Sequence, residues 1–226
     1  MSDTSNYRYH FIDQIRGFAV FLMIIFHFSY DLQMFNFVEI DFVQDTFWWI
    51  FPRVIVFLFL LSMGLSFPIV HSPKIRWSVL KKRVLLISLF ALSISLVTYF
   101  LFPTRWIYFG TLHCITLCSI ITLPFLKYPK VSLIIALALL IPSIFFKLNL
   151  PWVLLKHKSM DYISPFPWMG VVLLGFSANF YNFHKLNMFD NIFSRLLERL
   201  GKHSLLIYII HQPILYSIVF LIHKII

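Results

Sequence analysis

Asp13-Gln-Ile-Arg16-Gly17-Phe-Ala-Val-Phe-Leu-Met-Ile-Ile-Phe-His27-Phe-Ser-Tyr30-Asp31-Leu32 is an apolar stretch with four ionisable side chains written into it. At about 100° per residue, Asp13 and Asp31 are five whole turns apart, and Arg16 and His27 fall roughly 60° and 40° from the line joining them. The spacing therefore predicts one helix with all four groups on one face. The apolar run between Gly17 and Phe28 is too hydrophobic for a solvated helix. The polar face is thus expected to look into a protein interior or a wet cavity, the setting in which ionisable groups inside a membrane are functional.

Outward from this stretch, the composition agrees. The chain has 226 residues, of which 60% are hydrophobic, 19% aromatic and 12% charged, whereas a soluble globule carries about 25% charge. This is the make-up of an all-α, polytopic membrane protein. Its net charge of +10 comes in short basic clusters between apolar runs, where membrane orientation accounts for it and nucleic-acid binding does not. Cys114 and Cys118 stand one turn apart in an apolar segment, read as small apolar filler with neither disulfide-framework nor metal spacing. No metal is expected. No cleavage site follows the first apolar run, so the first helix is expected to stay as an anchor.

Runs long enough to cross about 30 Å of hydrocarbon fall near 15–35, 47–70, 80–102, 107–126, 131–147, 165–183 and 204–224. They predict about seven transmembrane helices in a single bundle, one domain over residues 1–226, with the fifth span the weakest because Pro142 interrupts it. Arg8 and the basic stretches 71–83, 127–130 and 184–203 alternate with loops poorer in Lys and Arg. The positive-inside rule then puts the N-terminus in the cytoplasm and the C-terminus outside.

The motifs carry a resemblance. Arg16, ten residues and His27 resemble the first-helix motif of the acyltransferase-3 membrane proteins. Asp13-x-x-Arg16-Gly17 with His27-Phe28-x-Tyr30-Asp31-Leu32 is more closely similar to bacterial relatives of the catalytic domain of lysosomal heparan-α-glucosaminide N-acetyltransferase. Gly110-Thr-Leu-His113, Pro165-Phe-Pro-Trp168-Met-Gly170 and Gly201-Lys-His-Ser-Leu-Leu-Ile-Tyr208, running into His211-Gln-Pro213, agree with that second family in order. The likeness spans almost the whole chain. It implies an integral membrane acyltransferase of a bacterial or archaeal cell membrane, with acetyl-CoA as donor and a carbohydrate-like acceptor. Residues 33–46 hold no histidine, unlike the lysosomal branch, whose catalytic histidine follows the first helix. The acyltransferase-3 pattern therefore carries the general base onto His27.

Helix direction gives each embedded polar residue a depth. His27, about 16 Å beyond Arg16, Asp31, Arg53, His113, Asp161 and Trp168 are all expected in the outer half. We assign His27 as base, Asp31 as its orienting carboxylate, Arg53 and His113 to the oxyanion, and Asp161 and Trp168 to the acceptor. Arg16 and the Lys202-His203-Ser204 start of the last helix offer cations and N–H groups to the donor's phosphates at the inner end, with His211 and Gln212 farther in. Structural readings stand beside these. Arg16 can snorkel, Arg53 can tie to Asp31, His113 can pack, His203 and Ser204 can cap, and Trp168 can belong to the interfacial belt. His71, His157, His184 and His223 lie at loops or ends and carry no argument.

Two other classes compete with the enzyme. A proton-coupled transporter or flippase would use the same buried groups as a relay, though it should show paired broken helices in repeated halves. A haem-binding bundle would use His27, His113 or His211 as axial ligands. The lipid bilayer is a partner in every reading, and a homo-oligomer stays open.

Overall fold

The computed structural model describes residues 9–148, 150–186 and 191–225. Asp3 and Arg8, which weigh in the reading of the N-terminal side, lie outside them. The described residues form eight α-helices and no strand: α1 His10–Met34, α2 Thr46–His71, α3 Trp77–Leu101, α4 Thr111–Ile121, α5 Pro129–Phe146, α6 Pro165–Phe180, α7 Ile192–Lys202 and α8 Ser204–Ile225. The all-α multi-pass character is as the composition implies.

Of the seven predicted spans, five are matched by helices of full length. Five helices, α1, α2, α3, α5 and α8, are long and apolar enough to cross a membrane. The predicted fourth span contracts to the 11 residues of α4. Gly110 in extended backbone starts it late, and the turn Leu123–Lys127, with Pro124 near its start, ends it early. The sixth shortens to the 16 residues of α6, whose first turn is broken at Phe166 between two prolines. Pro142 does not stop α5, which runs 18 residues and leaves through Lys147 in the left-handed region.

The basic stretch 184–203, read from sequence as a loop, contains α7. Its sequence alternates Leu196, Leu197 and Leu200 with Arg195, Glu198, Arg199 and Lys202, and Asn191 caps it by accepting the Ser194 N–H at 2.8 Å.

The chain divides into two compact units. In the first, residues up to Phe59 with those from His184 on, α7 packs antiparallel to the first turns of α1. A Cβ on Gly17 would collide with the Leu197 carbonyl, and one on Gly201 with the Asp13 carbonyl, so the missing side chains let the two backbones touch. After a turn at His203, α8 climbs beside the rest of α1. Ala19, Val20, Met23, Ile55 and Phe59 form the core here, with Ile207 and Tyr208 of α8 against it. Gln14 donates to Glu198 at 2.9 Å, and His10 meets the other oxygen of that carboxylate at 2.9 Å.

In the second unit, Leu60–Phe183, the rest of α2 meets α6 through another glycine pair, Gly64 under the Val172 carbonyl and Gly175 under that of Leu61. The Asn179 amide donates to the Leu65 carbonyl at 2.7 Å. Ser132 and Ser177 join α5 to α6 at 2.6 Å. Cys114 and Cys118 are free and buried, packing as filler.

Candidate active site

The pairing of α8 with α1 follows from the glycine contacts below it and decides what meets above. The His27 and His211 rings lie edge to face with centroids 4.8 Å apart. Asp31, fully buried, accepts a hydrogen bond from the Gln212 amide at 2.8 Å. Two residues from α1 and two from α8 thus form one polar set, Asp31 and His211 buried and His27 and Gln212 half-buried. The sequence placed His211 and Gln212 with the donor; the structure places them beside His27 and Asp31.

The hydrogen positions in this set follow from its partners. His211 Nδ1 faces the carbonyls of Tyr208 at 2.8 Å and Ile207 at 3.2 Å, so it carries the hydrogen. Nε2 is then the lone-pair nitrogen, and it is buried without a partner. Gln212 spends its NH2 on Asp31, so its free buried atom, Oε1, is also an acceptor. Asp31 Oδ2 is the third. Each unmet buried polar atom costs about 1–3 kcal/mol. Three unmet acceptors outnumber the N–H that a neutral His27 brings, so the set suits a guest that supplies hydrogens.

Beyond Asp31 the C-terminal end of α1 opens into a cleft of ≈ 700 Å³, lined by Tyr30, Gln33, Asn36, Glu39, Asp41 and Phe42 among others. The Val43 and Gln44 N–H groups each donate to the Asp41 carboxylate at 2.8 Å. Those two bonds, from Gln44 and then Val43, hold it below the usual carboxylate range.

Arg53 does not join Asp31. It bends back over the Trp49 ring, 3.6 Å from its centroid, and donates to the Trp49 carbonyl. Arg16 stands 3.8 Å from Asp13 across one turn of α1. Lys202 ends α7, His203 caps it through its N–H to the Arg199 and Leu200 carbonyls, and Ser204 begins α8, so these three make the turn between the helices.

In the second unit His113 and Asp161 cap one helix end. The Gly110 N–H donates to His113 Nδ1 at 3.1 Å, which leaves Nε2 to carry the hydrogen towards Ser95 Oγ at 3.2 Å. Both ring nitrogens are engaged. The Thr111 N–H donates to Asp161 at 2.8 Å and the Thr111 hydroxyl to the same oxygen at 3.2 Å. Burial pushes the Asp161 carboxyl up, against the pull of those two bonds. Trp168 falls just past the break in α6 and is partly buried.

Glu198, which binds His10 and Gln14, escapes a reading that searches only apolar spans. Its signal is the amphipathic spacing of 192–202. Among the described residues, no three His, Cys, Asp or Glu side chains gather as metal ligands.

Helices of this length and apolarity, enclosing a histidine pair with a carboxylate and an amide, define a multi-pass membrane protein with a polar site inside its first unit. The chain belongs to the heparan-alpha-glucosaminide N-acetyltransferase catalytic family, whose profile matches residues 8–213. Membership and the apolar helices together point to a membrane acetyltransferase. No curated protein and no solved structure matches the chain.

Proposed function

We propose that the protein moves acetyl from acetyl-CoA to an amine or hydroxyl of a sugar-like acceptor at the outer face of the membrane. The observation that carries this is the row of unmet acceptors, Asp31 Oδ2, Gln212 Oε1 and His211 Nε2, around the His27 ring. An amine or a pair of hydroxyls brings the hydrogens they lack. The aromatic, amide and carboxylate lining of the adjoining cleft suits a polyhydroxy or cationic body behind that reacting group.

His27 takes the proton from the acceptor as its nitrogen or oxygen attacks the thioester carbonyl. The carbon–sulfur bond then breaks, and the CoA sulfur leaves with a proton returned from the imidazolium. His211, its lone pair directed by the Tyr208 and Ile207 carbonyls, is the neighbour that can share this proton. Arg16 and the Lys202-His203-Ser204 turn serve the phosphates of the donor from the cytoplasmic end. The chain acts as one domain, N-terminus in the cytoplasm.

The test is incubation of purified protein with labelled acetyl-CoA and a panel of amino and neutral sugars. Labelled acetyl-sugar is expected from the wild type. His27→Ala should lose it, with fold and CoA binding retained. Transfer by His27→Ala near the wild-type rate moves the base to His211, because both nitrogens of His113 are engaged. No labelled product from any acceptor overturns the enzyme reading.

A further inference from the structure

His71 closes α2 and is 1% exposed, yet neither ring nitrogen has a hydrogen-bond partner. An imidazole carries at least one donor hydrogen, and hiding both nitrogens unmet is unfavourable. The ring packs on Phe67, centroids 4.8 Å apart, and the charges of Arg83 and Arg76 reach it.

Among the described residues neither Arg76 nor Arg83 forms an ion pair with a carboxylate. Residues 60–183 contain eleven Lys and Arg but a single carboxylate, Asp161. That one is bound to Thr111, at the start of α4, where it caps the helix. The backbone adds to the deficit. Helix α3 starts at Trp77, whose N–H goes to the Ile75 carbonyl at 3.1 Å, and its N-cap, Arg76, offers no side-chain cap to the N–H groups that follow. A helix start of this kind favours an anion. Lys74 and Arg76 are exposed and form the approach.

We propose that the α2–α3 turn is a phosphate-binding site, in which Arg83 and Arg76 hold the oxyanion, the Ser78 and Val79 N–H groups of α3 donate to it, and His71 gives it a ring N–H. The ligand class is a phosphate monoester or diphosphate. Two sources carry that chemistry, a soluble phosphorylated molecule such as an acyl donor's nucleotide and the headgroup of an anionic lipid. Its residues are other than Arg16 and Lys202-His203-Ser204, which are assigned to the donor above, and the proposal stands whether or not the chain transfers acetyl.

Inorganic pyrophosphate is the probe, titrated calorimetrically into the full chain in an uncharged detergent. Saturable binding is expected, with a rise in the unfolding temperature of the unaltered protein, a readout that needs no variant. Arg83→Gln and His71→Ala should each weaken binding at least ten-fold, while Lys81→Gln, which removes an exposed cation, should change it less than two-fold. Arg83→Lys, which keeps the charge without the planar fork, should fall between them. In lipid discs containing phosphatidylglycerol, competition with pyrophosphate assigns the site to headgroups, and undiminished binding assigns it to a soluble ligand. No binding and no thermal shift, or equal losses in Lys81→Gln and Arg83→Gln, overturn the proposal. A transfer assay that fails while pyrophosphate still binds would sink the enzyme reading and leave this one intact.

Discussion

At the scale of single residues, the unit carrying His27 is built around acceptors. Asp31→Asn would keep the bond from Gln212 through its amide oxygen but turn Oδ2, now an unmet acceptor, into a donor. An acceptor substrate that brings hydrogens then meets hydrogens. The expected result is a KM for the acceptor raised about ten- to a hundred-fold, from the 1–3 kcal/mol of one misplaced buried bond, with a smaller fall in turnover than His27→Ala gives. Steady-state kinetics on the two variants check this. Asp161 offers a test by pH. Its carboxyl is raised by burial above its ordinary value of 3.8, so the protonated form suits the fold. Stability from this group is present below that value and is lost as pH rises through the window above it. Asp161→Asn keeps an oxygen for the Thr111 N–H, and thermal unfolding across that window should show a flatter profile than wild type. The sequence alone singled out His27, Asp31 and Asp161. His71 it passed over, because a histidine at a helix end has no pattern to mark it; only the neighbours left unmet do.

At the scale of elements, α1 was legible as a helix near 15–35, five residues short of its start at His10, since an uninterrupted apolar run with polar residues on one face leaves no other structure open. α7 was not. Its apolar residues are too few for a span, and what holds it is a backbone approach that only Gly17 and Gly201 permit. Likewise the short α4 owes its start to Gly110 and His113 and to Asp161, which is remote from them in the chain. Gly201→Ala would drive a methyl group into the Asp13 carbonyl. The two helices must part, at a cost of about 1–3 kcal/mol. A lowered unfolding temperature and faster proteolysis within 192–202 are expected; wild-type values for both would show that α7 is not clasped. Since His27 is about 15 Å along α1 from Gly17, the same variant should slow turnover although it touches none of the reacting groups.

At the scale of the whole molecule, the arrangement of basic clusters predicts a reporter fused at the N-terminus to read from the cytoplasm and one at the C-terminus from outside. Both on one side would mean that only one of the short helices α4 and α6 crosses the membrane. Charge is also partitioned along the chain. The entire net charge of +10 belongs to residues 60–183, because the remainder holds eight Lys and Arg against eight Asp and Glu. Dissolved ions will therefore gather on one portion of the molecule and largely ignore the other. At 0.1 M salt such an atmosphere shrinks to a layer of about 10 Å. Ionic strength then becomes a means of sorting steps: those that weaken as salt rises draw on the cation-rich portion, and those that hold steady belong to the neutral one, where the two imidazoles meet.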